Sequence, residues 1–138
     1  VRRLPKGDDG NAILEFVTVA VVLMVPLVYI MLTVFQLQRA AFAVSAAARE
    51  AGRAYVTADS GDTAADRAQT AADLALADQL PGSPTADVGL PADPTLVPGT
   101  AVTITVTYRL HLPLSGGLAV IPVTAKHVAT VDVFRSPG

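Results

Sequence analysis

No cysteine occurs among the 138 residues. Disulfides, thiol chemistry and cysteine-based zinc sites are thereby excluded, and a domain displayed outside the cell must be stable without covalent staples. Basic charge is not in excess either. Ten Lys and Arg stand against twelve Asp and Glu, a net charge of −2, so no basic surface argues for nucleic acid. Histidine is scarce: His111 and His127 are the only two, with no third ligand in motif spacing to make a zinc site. Ser115 lies in LSGG, without the flanks of a nucleophile elbow, and no phosphate-binding glycine loop is present. These absences point away from an enzyme, a cofactor and a metal.

The most informative absence is of charge over one long stretch. From Phe16 to Gln38 no side chain is expected to be ionised, a run of 23 residues. A helix crosses the bilayer core in about 20 residues, so this run is long enough to span. Hydrophobic residues make up 51% of the chain, mean hydropathy is +0.48, and the excess lies in residues 12–38. One carboxylate, Glu15, stands at the front of that segment. A charge near the centre of a bilayer costs at least about 2.5 kcal/mol, so an ionisable residue here marks function. The plainer reading is a glutamate solvated among headgroups.

What precedes the apolar run is short and polar: VRRLPKGDDG. An ordinary secretory leader carries its apolar core before the cut, whereas here the apolar segment follows Gly10. Arg2, Arg3 and Lys6 ahead of the helix favour a cytoplasmic N-terminus, and Arg39, Arg49 and Arg53 beyond it weaken that bias. The expected topology is a single pass with the N-terminus in and the C-terminal domain out.

Gly10-Asn11-Ala12-Ile13-Leu14-Glu15-Phe16 resembles the processing site of type IV-type prepilins. The continuation, with its Ala/Arg-rich stretch AVSAAAREAGRAYVTA, is similar to the TadE-like pseudopilins of tight-adherence (Flp-type) pilus systems. The resemblance implies cleavage between Gly10 and Asn11 by a prepilin peptidase. It also implies that Glu15, fifth residue of the mature chain, pairs with the new amino terminus of a neighbouring subunit. Asn11 departs from the small apolar or aromatic residue that such a site places first. The implied partners are the peptidase, other pilin or pseudopilin subunits, an inner-membrane assembly platform and membrane lipid. After trimming, seven basic and ten acidic side chains remain. The rival reading is a single-pass anchored extracytoplasmic binding module whose leader is never removed.

The expected architecture is α+β: a polar leader over 1–10, a transmembrane helix over 11–38, and an extracytoplasmic stalk with an αβ domain over 39–138. One helix is expected from Asn11 to Thr57, about 70 Å at 1.5 Å per residue, twice what a membrane needs. Pro26 falls mid-span and predicts a kink or an unwound turn, although membrane helices also tolerate proline for packing alone. In the alanine-rich second half, Phe42, Ala46, Arg49 and Arg53 recur at helical spacing, and Glu50 is placed to pair with Arg53. Arg49, Glu50 and Arg53 read either as a solvated face or as inter-subunit contacts.

A second, weakly amphipathic helix is expected from Asp62 to Leu80, with Thr63 and Asp66 as a capping box. Its apolar positions include Ala68, Ala71, Ala72, Ala75 and Leu76, against polar Asp66, Arg67, Gln69, Asp73 and Asp78. Asp59, Asp62 and Asp66 lack the order of a calcium loop and read as turn and capping residues. Five prolines between Pro81 and Gly99 make a loop, with one short edge strand near Ala86–Leu90. In TAVTITVTYRLHL, Val102, Ile104, Val106, Tyr108, Leu110 and Leu112 alternate with Thr103, Thr105, Thr107, Arg109 and His111, a half-buried strand. PLSGG turns the chain. A second strand region, Val120–Phe134, is expected to break near Pro122. Val123, Ala125, Ala129, Val131 and Val133 lie on its apolar face, which His127 interrupts. The resulting two- or three-stranded antiparallel sheet packs on the stalk, a pilin-like arrangement.

Overall fold

The computed structural model describes residues 9–93, 96–112 and 118–134. Arg2, Arg3 and Lys6 of the leader, and the turn at Pro113–Gly117 with Ser115, lie outside the described residues, as does the side chain of Asp62.

Helix α1 runs from Asp9 to Val56, starting two residues earlier and ending one sooner than expected. It continues through Pro26 with no unwound turn, although proline leaves the Val22 carbonyl without its usual donor. Neighbouring i→i−4 bonds on both sides hold the geometry. Its last turn is closed by Thr57, whose hydroxyl donates to the Arg53 carbonyl at 2.8 Å.

Helix α2 spans Gly61–Gln79. The expected capping pair is displaced: the N-cap is Ser60, not Thr63. The Ser60 hydroxyl accepts from the Thr63 amide at 3.4 Å, and the Thr63 hydroxyl accepts from the Ser60 amide at 3.3 Å. A start one residue earlier puts Thr63 at the third helical position, where threonine fills the reciprocal role usually taken by Glu or Gln. Asp59 faces Arg67 at 4.0 Å, with both side chains well exposed, so the pair adds little.

Three strands follow: β1 Asp87–Gly89, β2 Ala101–His111 and β3 Val120–Thr130, all antiparallel in the order β1-β2-β3. β3 does not break at Pro122, which pairs in register with Arg109. β3 is an edge strand, and an edge tolerates a missing N–H donor. It ends at Thr130, short of the expected Phe134; Val131 is buried, whereas Val133 is 66% exposed and lies off the core face. Val102, Ile104, Val106 and Leu110 point inward, as their alternation requires.

The sheet lies against α1 through β2 and β3, and α2 packs on α1 beside it. The core is built from Tyr55, Leu76, Ile104, Val44, Val106 and Val131, with alanines of both helices between them. Burial pushes the Tyr55 phenol above its ordinary range, and the Asp93 carboxylate adds to the shift.

Two end contacts fix α2 as antiparallel to α1. Arg67 reaches the Thr57 carbonyl, and the Nε of Arg39 donates to the Gln79 carbonyl at 2.7 Å. In between, Ala64, Ala68, Ala72 and Leu76 recur at four-residue spacing, all fully buried. Facing them, Ala43, Ala47, Ala51 and Tyr55 supply the buried stripe of α1. Side chains this small permit close helix approach, so the pair is held by contact along its whole length.

Candidate membrane and assembly interface

Among the described residues, the N-terminal part of α1 is left largely uncovered. From Asn11 to Arg39 every residue is exposed except Tyr29, Thr33 and Gln36, which are half-exposed; Ala40 is the first that is buried. Those 29 residues extend about 44 Å, against a bilayer core of about 30 Å. The helix is long and apolar enough to cross a membrane. Its two threonine hydroxyls are satisfied within the helix, as a span in hydrocarbon would require: Thr18 donates to the Leu14 carbonyl at 2.7 Å and Thr33 to the Tyr29 carbonyl at 2.8 Å.

Glu15 is the exception. It is exposed on this surface, and among the described residues it makes no hydrogen bond or ion pair. Asn11 lies four residues before it, one helical turn away on the same face. The Gly10–Asn11 bond falls in the first turn of α1, where backbone N–H groups lack intrahelical partners. Opening that turn therefore breaks few hydrogen bonds.

Past Ala40 the outward side of α1 carries Phe42, 72% exposed, and then Arg49, Glu50 and Arg53, also exposed. Glu50 and Arg53 do not pair. Arg49 instead donates to the Ser45 hydroxyl at 3.4 Å. Water competes well for exposed charges one turn apart, so these groups remain available to a second surface.

Three features carry roles that pattern alone did not assign. Arg39, which on sequence bears only on topology, occupies the last carbonyl of α2 and so ties the end of the exposed half of α1 to the folded domain. Gln69 and Asp73 grip the backbone of Ala86: Asp73 Oδ1 accepts its N–H at 2.7 Å, and Gln69 Nε2 donates to its carbonyl at 2.9 Å. Gln69 also donates to Asp73 Oδ2 at 3.1 Å, closing the ring. This latch holds the strand-leading segment on α2. Asp73→Ala is expected to cost about 1.5–3 kcal/mol, the range for hydrogen bonds to a charged group. The amides of residues 86–89 should then exchange faster, as hydrogen–deuterium exchange will read.

Gly52 is the third feature. A Cβ built there would sit 2.8 Å from Cδ2 of His127 and 3.4 Å from the Ala129 Cβ. His127 is half-buried on the inward face of β3, opposite Ile104, and the missing methyl of Gly52 makes room for its ring. The signal available was a glycine inside an otherwise alanine-rich helix. His111 lies on the outer face with the threonines, exposed, and the two histidines do not converge.

Comparison with family models, curated proteins and solved structures finds no match to this chain.

Proposed function

We propose that the chain is a structural subunit, a TadE-like minor pilin or pseudopilin, of a tight-adherence pilus or related secretion machine. A prepilin peptidase trims it after Gly10, it stays in the cytoplasmic membrane with its domain outside, and its helix then enters an assembly of similar helices. The observation that carries this reading is the carboxylate of Glu15, which has no partner among the described residues and stands one turn from Asn11 on the exposed half of α1. Trimming turns the Asn11 amide into an ammonium. In low dielectric an isolated carboxylate recruits an opposite charge, and a neighbour's new N-terminus supplies it. Phe42, Arg49, Glu50 and Arg53 continue the contact surface along the stalk, and the α+β domain on its far end suits a pilin-like fold.

The test is the N-terminus of the membrane-bound chain, read by mass with and without a prepilin peptidase. Asn11 as first residue, appearing only with the peptidase, supports the proposal. An intact leader in both cases identifies instead an anchored binding module that uses α1 as a tether. Gly10→Leu is expected to abolish the trimmed form.

A further inference from the structure

The domain carries a groove at the plane where α1 leaves the membrane. β2 runs back toward the bilayer: Ile104 pairs with His127, which packs at Gly52, whereas Leu110 and His111 share a cavity with Gln36 and Arg39. Seven residues of β2 descend about 23 Å, which matches about 24 Å of helix between Gly52 and Gln36. His111 therefore sits level with Gln36, within one turn of Arg39, where the largely exposed stretch of α1 ends.

Two cavities adjoin His111. One, of about 280 Å³, is lined by Gln36, Arg39, Leu80, Tyr108 and His111 among others. The other, of about 490 Å³, runs from His111 past Arg109 to Thr107 and the Pro81–Asp87 segment. Their shared wall is Pro81, Tyr108 and His111. The donors are the guanidinium groups of Arg39 and Arg109, the imidazole of His111, the amide of Gln36 and the phenol of Tyr108. Arg39 commits only its Nε to Gln79, leaving its two terminal nitrogens free for a second acceptor. The one carboxylate lining either cavity, Asp87, pairs in register with Thr107, about 13 Å along the strand from His111. Beyond His111 the hairpin arm returns with Leu118, 93% exposed, on the same side.

The geometry points to a binding site for the phosphate of an anionic lipid headgroup at the outer surface of the membrane, held by Arg39 and His111, which line one cavity, with Arg109 supplying further positive charge from the adjoining one. The position selects lipid over free phosphate, because the groove opens where headgroups lie and an apolar side chain flanks it. Such a contact fixes the height and rotation of the domain over the bilayer. The inference rests on α1 spanning the membrane and is independent of pilus assembly.

The test uses the full chain in nanodiscs of phosphatidylcholine alone or mixed with phosphatidylglycerol, with retained lipid counted by native mass spectrometry. Phosphatidylglycerol should be retained preferentially. The double variant Arg109→Gln with His111→Gln should lose that preference about fivefold or more, the effect of one cation at an anionic surface. Both residues lie on the exposed face of the sheet, so thermal stability should not change. Arg39→Gln should lose the preference too, with some loss of stability because Gln79 loses its donor. Equal retention of the two lipids, or an unchanged double variant, overturns the site. Displacement of the lipid by millimolar inorganic phosphate overturns the lipid assignment. A chain that alkaline carbonate strips from membranes overturns both the anchor and the groove; one that stays without headgroup preference overturns the groove alone.

Discussion

Glu15→Ala is expected to insert as well as the native chain and to lose assembly by roughly a hundredfold or more. Alanine is the best helix former and removes a carboxylate from an apolar segment, so neither the helix nor its insertion suffers. Assembly is another matter. Removing one member of a buried ion pair leaves the other charge uncompensated, at a cost of about 3–5 kcal/mol. Here the abandoned group is the ammonium of Asn11, which trimming would create one turn away. Glu15→Gln should fail almost as badly, because the amide keeps the shape and loses the charge. Crosslinking of membranes before and after peptidase treatment reads both variants. Normal assembly by Glu15→Ala would mean that the carboxylate is merely solvated.

Ala68→Leu is expected to lower the stability of the domain by about 3 kcal/mol, near the top of the range for overpacking. Ala68 is fully buried in the core that α2 shares with α1. Three extra carbons there must push the helices apart, and the separation spreads to Ala64 and Ala72. For a domain of about 100 residues such a loss lowers the melting temperature by roughly 12–20 °C. The same replacement at Ala77, on the exposed side of α2, should change stability by no more than about 0.5 kcal/mol. Thermal melts of the two variants in detergent compare them directly. Equal melting temperatures would contradict close packing between the helices.

The elements were legible wherever one period dominated. Val102 to Leu110 alternates so strictly that strand and inward face follow together, and the uncharged run after Glu15 forms a helix long and apolar enough to cross a membrane. Legibility failed where a side chain serves the backbone of a distant segment. Asp73 and Gln69 look like the solvated side of α2, and nothing local shows that Ala86, thirteen residues past Asp73, returns to meet them. Arg39 looked like a topology signal because its acceptor lies forty residues away. The α2 cap was misplaced by three residues since Asp59, Ser60, Asp62 and Thr63 are all good cap formers. Tertiary contact decided among them. Glu15 was legible as an anomaly, and among the described residues its side chain meets no partner.

The central claim is a contact between two copies, so the most direct measurement is a distance between differently labelled subunits. Trimmed chains carrying ¹⁵N at the Asn11 amine are co-assembled with chains carrying ¹³C at the Glu15 carboxyl, and dipolar coupling is measured by solid-state NMR. The account predicts a coupling corresponding to salt-bridge distance, about 3–4 Å, between labels on separate molecules. A carboxyl that couples to no foreign amine in a well-formed assembly contradicts it.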